Sequence, residues 1–342
     1  MVLYLLIYAL LLVMCFRIKH NEYFLLIAMI GFALLIGFRG VSVGADTLEY
    51  FQMYYRIGRR GSIGGETEVL YGLSNIYAYK IGLSFKWFQT LLVFISLTFC
   101  FKSIKKYSSH HGLSVFFLFA LYFIFYAMNI YREMIACFIA VSALPLLNNL
   151  TTKQTFKYLC LTLLAMGFHS SALIILPLLF VNKLDLGTLQ IYFLFLVTLL
   201  LGIFLPSNFL EGYLGGYDHL VDSSVNYRSE HDLSLAIFLA VYWMIEFFLV
   251  DIFSSKKFKQ SVYFKIIICA VLINNLLVKQ ALGLRIVLYF NIIQIIALPI
   301  LLQSVSKDQL LKKFILIAYI SIFFFVFLLS NSAGVVPYEI MY

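Results

Sequence analysis

The chain has 342 residues, 63% of them hydrophobic and 18% aromatic, against only 12% charged. That remainder is too small to build a water-facing surface, so a soluble globular protein is excluded. The net charge of +9 would suit nucleic acid in a soluble protein, but here its placement follows membrane topology and no nucleic-acid partner is expected.

In chain order, the apolar run from Met1 to Phe16 lacks a basic leader and a small-residue cleavage site before Arg17, and reads as a retained first helix. Candidate spans then follow at about 23–38, 86–101, 113–130, 134–149, 157–168, 171–182, 188–205, 233–252, 261–278, 284–303 and 314–330. The expectation is an all-α polytopic membrane protein, one transmembrane domain over 1–342 with about 12 segments (ten to fourteen). Two segments, 157–168 and 171–182, are short for full spans and meet at Phe168-His169-Ser170, a broken pair that belongs beside a cavity or other helices. Residues 39–85 form a first large extracytoplasmic segment, with an amphipathic helix expected over 68–83, and 206–232 a second extracytoplasmic loop.

With the connector Arg17–Glu22 placed in the cytoplasm, fifteen basic residues fall inside against Glu22, Asp185, Asp251 and Asp308. The positive-inside rule is satisfied. Seven of the eight arginines, however, fall outside, whereas fourteen of the seventeen lysines fall inside. Topology alone does not predict that split. Arginine offers a rigid fork of donors suited to phosphate and carboxylate, so the outer face reads as an anion site at headgroup depth.

Arg132 lies between two apolar runs with Glu133 beside it, and Arg285 opens a late span with Tyr289 one turn deeper. Snorkelling to the interface is the simpler alternative for both. Asp46, Glu49 and Tyr50 stand at helical spacing, so a helix from near Thr47 starts on the Asp46 carboxylate, as a cap or to orient a sugar hydroxyl or an arginine. His169 is the best general base by chemistry, since imidazole's ordinary pKa of about 6.5 lets it accept a proton at neutral pH. A structural histidine at a broken helix is the competing reading. Glu246 is the carboxylate buried within a span. The five cysteines stand singly in apolar runs, and no P-loop, GxGxxG or HExxH occurs, so neither a metal nor a cofactor is expected.

These segments resemble the EpsG family, a branch of the Wzy-like bacterial polysaccharide polymerases, through FRG..VGADTLEY, ETEVLYGL, NIYREMIA, FHSSALIILP and LRIVLYF in that order. The resemblance covers most of the chain and implies a Wzy/GT-C-like membrane glycosyltransferase of the bacterial cytoplasmic (inner) membrane, with its site on the extracytoplasmic face. Such an enzyme polymerises oligosaccharide repeat units carried on undecaprenyl pyrophosphate, donor and acceptor both lipid-linked, for capsule, exopolysaccharide or O-antigen. A chain-length regulator or a flippase is the partner protein it implies. Matched residue by residue, Arg39, Asp46 and Tyr50 fall in the first motif, Glu68 or Glu66 supplies the acidic position, Arg132 the central arginine, His169 the histidine motif, and Arg285 with Tyr289 the late helix. The expected roles are His169, Asp46, Glu68 and Arg132 in catalysis, and Arg39, Arg132, Arg285, Tyr50 and Tyr289 in holding substrate and pyrophosphate. A transporter or flippase of lipid-linked or anionic substrate, or a related ligase or O-acyltransferase, is the alternative.

Overall fold

A computed structural model describes residues 1–206, 232–280, 283–303, 309–331 and 333–341. The second extracytoplasmic loop predicted over 206–232 therefore lies almost wholly outside the described residues. Among those described, the chain is helical, with one isolated antiparallel bridge between Arg39 and Ile340.

The elements are α1 (Val2–Arg17), α2 (Glu22–Gly37), α3 (Thr47–Arg60), α4 (Val69–Lys80), α5 (Phe85–Tyr107), α6 (His111–Ala120), α7 (Phe123–Asn129) and α8 (Tyr131–Ala140). A short 3₁₀ turn (Leu144–Asn149) leads to α9 (Thr152–Met166), a long 3₁₀ segment (Ser170–Lys183) and α10 (Thr188–Phe204). There follow α11 (Asp232–Phe253), α12 (Lys256–Lys259), α13 (Val262–Leu276), α14 (Gly283–Asn291), α15 (Gln294–Gln303) and α16 (Gln309–Ser330).

Four helical stretches are long and apolar enough to cross a membrane: Phe85–Tyr107, Tyr131–Asn148, Arg285–Gln303 and Leu310–Ser330. The pair α6 and α7, bent by 45°, makes a fifth, and five shorter apolar helices accompany them among the described residues. Large apolar side chains face outward in rows, such as Leu3, Leu6, Leu10 and Val13 on α1 and Leu26, Ile27, Ile30 and Leu34 on α2. A surface of that kind is stable in lipid and not in water.

Local chemistry accounts for the helix boundaries. Asn21 caps α2 by accepting from the Phe24 amide, and Thr151 with Gln154 forms a capping box at α9. The junction predicted at 168–170 is present, with α9 stopping at Met166 and the next segment starting at Ser170. That segment contains Pro177 and winds as a 3₁₀ helix of 14 residues, at about 2.0 Å per residue, so it reaches farther than its length suggests for an α-helix. The span predicted over 113–130 is broken at Tyr122, which adopts φ 71° with no glycine or proline to announce it.

The loop 38–46 is held from two directions. The Gly40 amide donates to Glu339 O (2.7 Å), the Gly44 amide to Gly334 O (2.8 Å) and the Met341 amide to Phe38 O (2.8 Å), so the segment after α16 clasps the loop before α3. Gly44 sits at φ +87°, and a Cβ there would lie 2.0 Å from the Met128 carbonyl oxygen. Gly44→Ala is therefore expected to cost at least about 1–3 kcal/mol from backbone strain alone. A lowered unfolding temperature in detergent, with less protein in the membrane, checks it.

Candidate functional site

Glu68 immediately precedes α4, and its carboxylate is the hub of a polar cluster. Oε2 accepts from Arg132 Nη1 (2.8 Å) and from the Thr67 hydroxyl (3.2 Å), while Oε1 accepts from the Ser170 amide (3.2 Å) and lies 2.8 Å from His169 Nδ1. Burial raises its pKa, but the His169 hydrogen bond and the Arg132 charge outweigh that and bring it down to about 2. An ionised carboxylate only accepts, so Nδ1 carries the shared proton, and in the neutral imidazole the lone pair is on Nε2. The backbone reinforces the placement: the Leu70 amide donates to Gly167 O (2.9 Å), pinning the start of α4 to the turn before His169.

The Nε2 side of the imidazole faces the carboxylate of Glu133, whose Oε2 is 3.9 Å away. The same oxygen is 4.0 Å from Arg285 Nε, and Arg285 Nη2 is 3.6 Å from Asp46 Oδ2. These are ion-pair separations, longer than hydrogen bonds. The Arg285 side chain is 33% exposed, against 3% for Glu133. Arg285 is thus a loosely held, partly exposed guanidinium. Arg132 is committed to Glu68 and Thr67 and lies over the rings of Tyr50 (5.8 Å) and Tyr71 (5.6 Å).

Six expected residues come together here: Asp46, Tyr50, Glu68, Arg132, His169 and Arg285. Asp46 makes no capping bond to α3; its amide is held by Asn129 Oδ1 (3.1 Å), and its carboxylate turns to Arg285. Burial raises the Asp46 pKa, and Arg285 opposes that rise. Glu68, and not Glu66, is the acid of the cluster. Glu66 instead pairs with Arg56 (2.8 Å) and Arg60 (2.6 Å) at the surface. Such exposed pairs contribute roughly 0–1 kcal/mol, so Glu66→Gln is expected to leave activity within about twofold of wild type and to lower the unfolding temperature only slightly.

The two remaining expected residues, Arg39 and Tyr289, are both buried. Arg39 is fully buried: Nε donates to the Thr47 hydroxyl (3.2 Å), Nη1 to the Ile36 carbonyl, and the guanidinium lies 5.6 Å from the Tyr131 ring centre, while Nη2 has no hydrogen-bond partner among the described residues. It braces the 38–46 loop through Thr47. Tyr289 is also fully buried, and its hydroxyl accepts from Ser171 Oγ (3.1 Å). It ties α14 to the 3₁₀ segment that begins beside His169. Both residues position the site from beneath.

Glu133 was not foreseen as a site residue. Its neighbour Arg132 is no guide, since adjacent helical residues point about 100° apart; a carboxylate placed in the first turn of an otherwise apolar helix is the available signal. His110 and His111 lie elsewhere and serve structure, His110 capping α6 at Leu113 and His111 Nδ1 accepting from the Asn21 amide (3.0 Å). Among the described residues no group of three or more His, Cys, Asp or Glu is arranged to hold a metal ion.

No curated protein and no solved structure matches the chain. A family model described as the EpsG family matches residues 22–340, nearly the whole length and all five motifs that build and brace this cluster, and the chain belongs to the EpsG family.

Proposed function

We propose that the protein is a membrane glycosyltransferase that polymerises oligosaccharide repeat units linked to undecaprenyl pyrophosphate, crossing the bacterial cytoplasmic membrane about 12 times with its site on the extracytoplasmic face. EpsG membership associates the chain with polysaccharide biosynthesis. The observation that carries the proposal is the convergence of Asp46, Glu68, Arg132, Glu133, His169 and Arg285, from five separate parts of the chain, around a histidine and an open guanidinium.

In the reaction, an acceptor hydroxyl oxygen attacks the anomeric carbon of the donor sugar. The bond from that carbon to the pyrophosphate oxygen breaks, and the electron pair leaves on the pyrophosphate. The hydroxyl proton passes to His169 Nε2, the position left basic by the Glu68 contact at Nδ1. Arg285 neutralises the departing pyrophosphate, while Arg132 keeps Glu68 ionised and in place. Direct displacement inverts the anomeric configuration. Asp46 restrains Arg285 until the anion arrives.

Sidedness is supported by where the lysines gather. The ends of α1, α2, α5, α6 and α16 meet through Glu22 with Lys105 (2.7 Å), the His111 amide with Lys19 O (2.7 Å), and Lys313 Nζ with Cys15 O (3.2 Å). A basic rim of this kind belongs in the cytoplasm, and the candidate site is built from the opposite ends of the helices. A transporter would instead place ionisable groups along a path reached from both sides; Glu246, buried in α11, is the group outside the cluster that favours that second reading.

The test is incubation of the purified protein in nanodiscs with its lipid-pyrophosphate oligosaccharide. A ladder of products with release of lipid pyrophosphate is expected. Bound substrate with no elongation overturns the proposal.

A further inference from the structure

The geometry points to Glu133 as the ligand of the acceptor sugar: one hydroxyl donates to His169 Nε2 while the adjacent ring hydroxyl donates to the Glu133 carboxylate. This inference rests on the glycosyl-transfer reading and adds to it a substrate class, an acceptor whose glycosylated position has a free hydroxyl next to it.

Three observations carry it. Glu133 is almost completely buried, and neither carboxylate oxygen has a hydrogen-bond partner among the described residues. A buried carboxylate without donors is costly, and donors that arrive with a ligand would offset that cost. Second, its nearest nitrogen neighbours, His169 Nε2 at 3.9 Å and Arg285 Nε at 4.0 Å, both stand just beyond hydrogen-bonding range of Oε2. Adjacent ring hydroxyls are about one hydrogen-bond length apart, so a pair of them bridges the imidazole and the carboxylate. Third, charge sorts the two substrates. The groups facing this space are Glu68, Glu133 and Asp46 with Arg132, His169 and Arg285. A carboxylate beside the imidazole repels phosphate and accepts from a neutral hydroxyl, so the acceptor sugar sits on the Glu133 and His169 side while the anion takes the exposed face of Arg285.

Arg132, one residue earlier on α8, cannot substitute in this role, because it is a donor only and is already engaged by Glu68 and Thr67. Asp46 cannot either; it is 30% exposed on its side chain and faces Arg285 without any contact to the imidazole.

The test uses the full chain in nanodiscs. The probes are the repeat-unit oligosaccharide prepared from the host polymer and the same oligosaccharide after periodate cleavage and borohydride reduction, which opens its vicinal diols. Binding is read by saturation-transfer NMR in wild type, Glu133→Gln and Glu133→Asp. Wild type is expected to bind the intact sugar about tenfold more tightly than the opened one. Glu133→Gln is expected to lose that preference, to within about twofold. Glu133→Asp, with the carboxylate withdrawn by one methylene, is expected to fall between them and controls for misfolding of the amide variant. Equal preference in wild type and Glu133→Gln overturns the inference, as does a wild type that binds both sugars alike or neither. A wild type that discriminates between the sugars yet elongates nothing overturns the polymerase reading instead, and leaves Glu133 judged by the binding data.

Discussion

Glu68→Gln is expected to reduce glycan transfer by on the order of 10³–10⁴-fold with the protein still folded and membrane-inserted. The reason is the tautomer. The carboxylate accepts at 2.8 Å from His169 Nδ1, whereas an amide at the same place offers an NH₂ donor to that nitrogen. The imidazole then carries its proton on Nε2 and cannot take one from the acceptor hydroxyl. Arg132 simultaneously loses its charged partner and keeps the Thr67 hydroxyl. Steady-state transfer with the lipid-linked repeat unit measures the loss, and binding of the donor should change far less than turnover. Activity within tenfold of wild type would remove Glu68 and His169 from proton transfer together.

The second large effect is expected at Arg285. Arg285→Ala should lower transfer by about 10²–10³-fold, and Arg285→Lys should recover only a small part of it, because a point charge replaces a fork that can grip two phosphate oxygens. The contacts to Asp46 and Glu133, 3.6 Å and 4.0 Å long, are loose enough to be exchanged for a phosphate without breaking a hydrogen bond. The prediction is read twice: as lost turnover, and as weakened binding of undecaprenyl pyrophosphate carrying no sugar. Arg59→Ala is a suitable control, since that side chain lies near the Tyr55 ring (5.9 Å) at the end of α3 and has no contact with the cluster among the described residues.

Much of this arrangement could be read from residue types. The histidine junction was visible because three polar or small residues interrupt an apolar run, and the structure breaks its helices at that place. Arg132, Arg285 and Asp46 were visible because charge at the rim of a membrane helix needs a reason. What escaped was long-range. Nothing local distinguishes Glu66 from Glu68; the difference arises because α4 begins at Val69 and turns Glu68 inward, while Arg56 and Arg60 on α3 capture Glu66. Arg39 carries the same outward signature as Arg285, yet Thr47, the Ile36 carbonyl and Tyr131 enclose it. The bend at Tyr122 has no proline or glycine to mark it. Glu133 was counted among the outer charges, and only packing reveals that its oxygens are left without donors.

The clasp between residues 334–341 and the loop 38–44 also constrains the order of events in biogenesis. The loop that leads to Asp46 is translated early, yet it gains its partners at Gly334 O and Glu339 O only after α16 has been inserted. A nascent chain halted before that helix carries every arginine and histidine of the cluster, with the Asp46 loop held by Asn129 and Arg39 but lacking the clasp from residues 334–341. Completion of this loop is thereby deferred until translation has passed α16, a form of timing written into the topology.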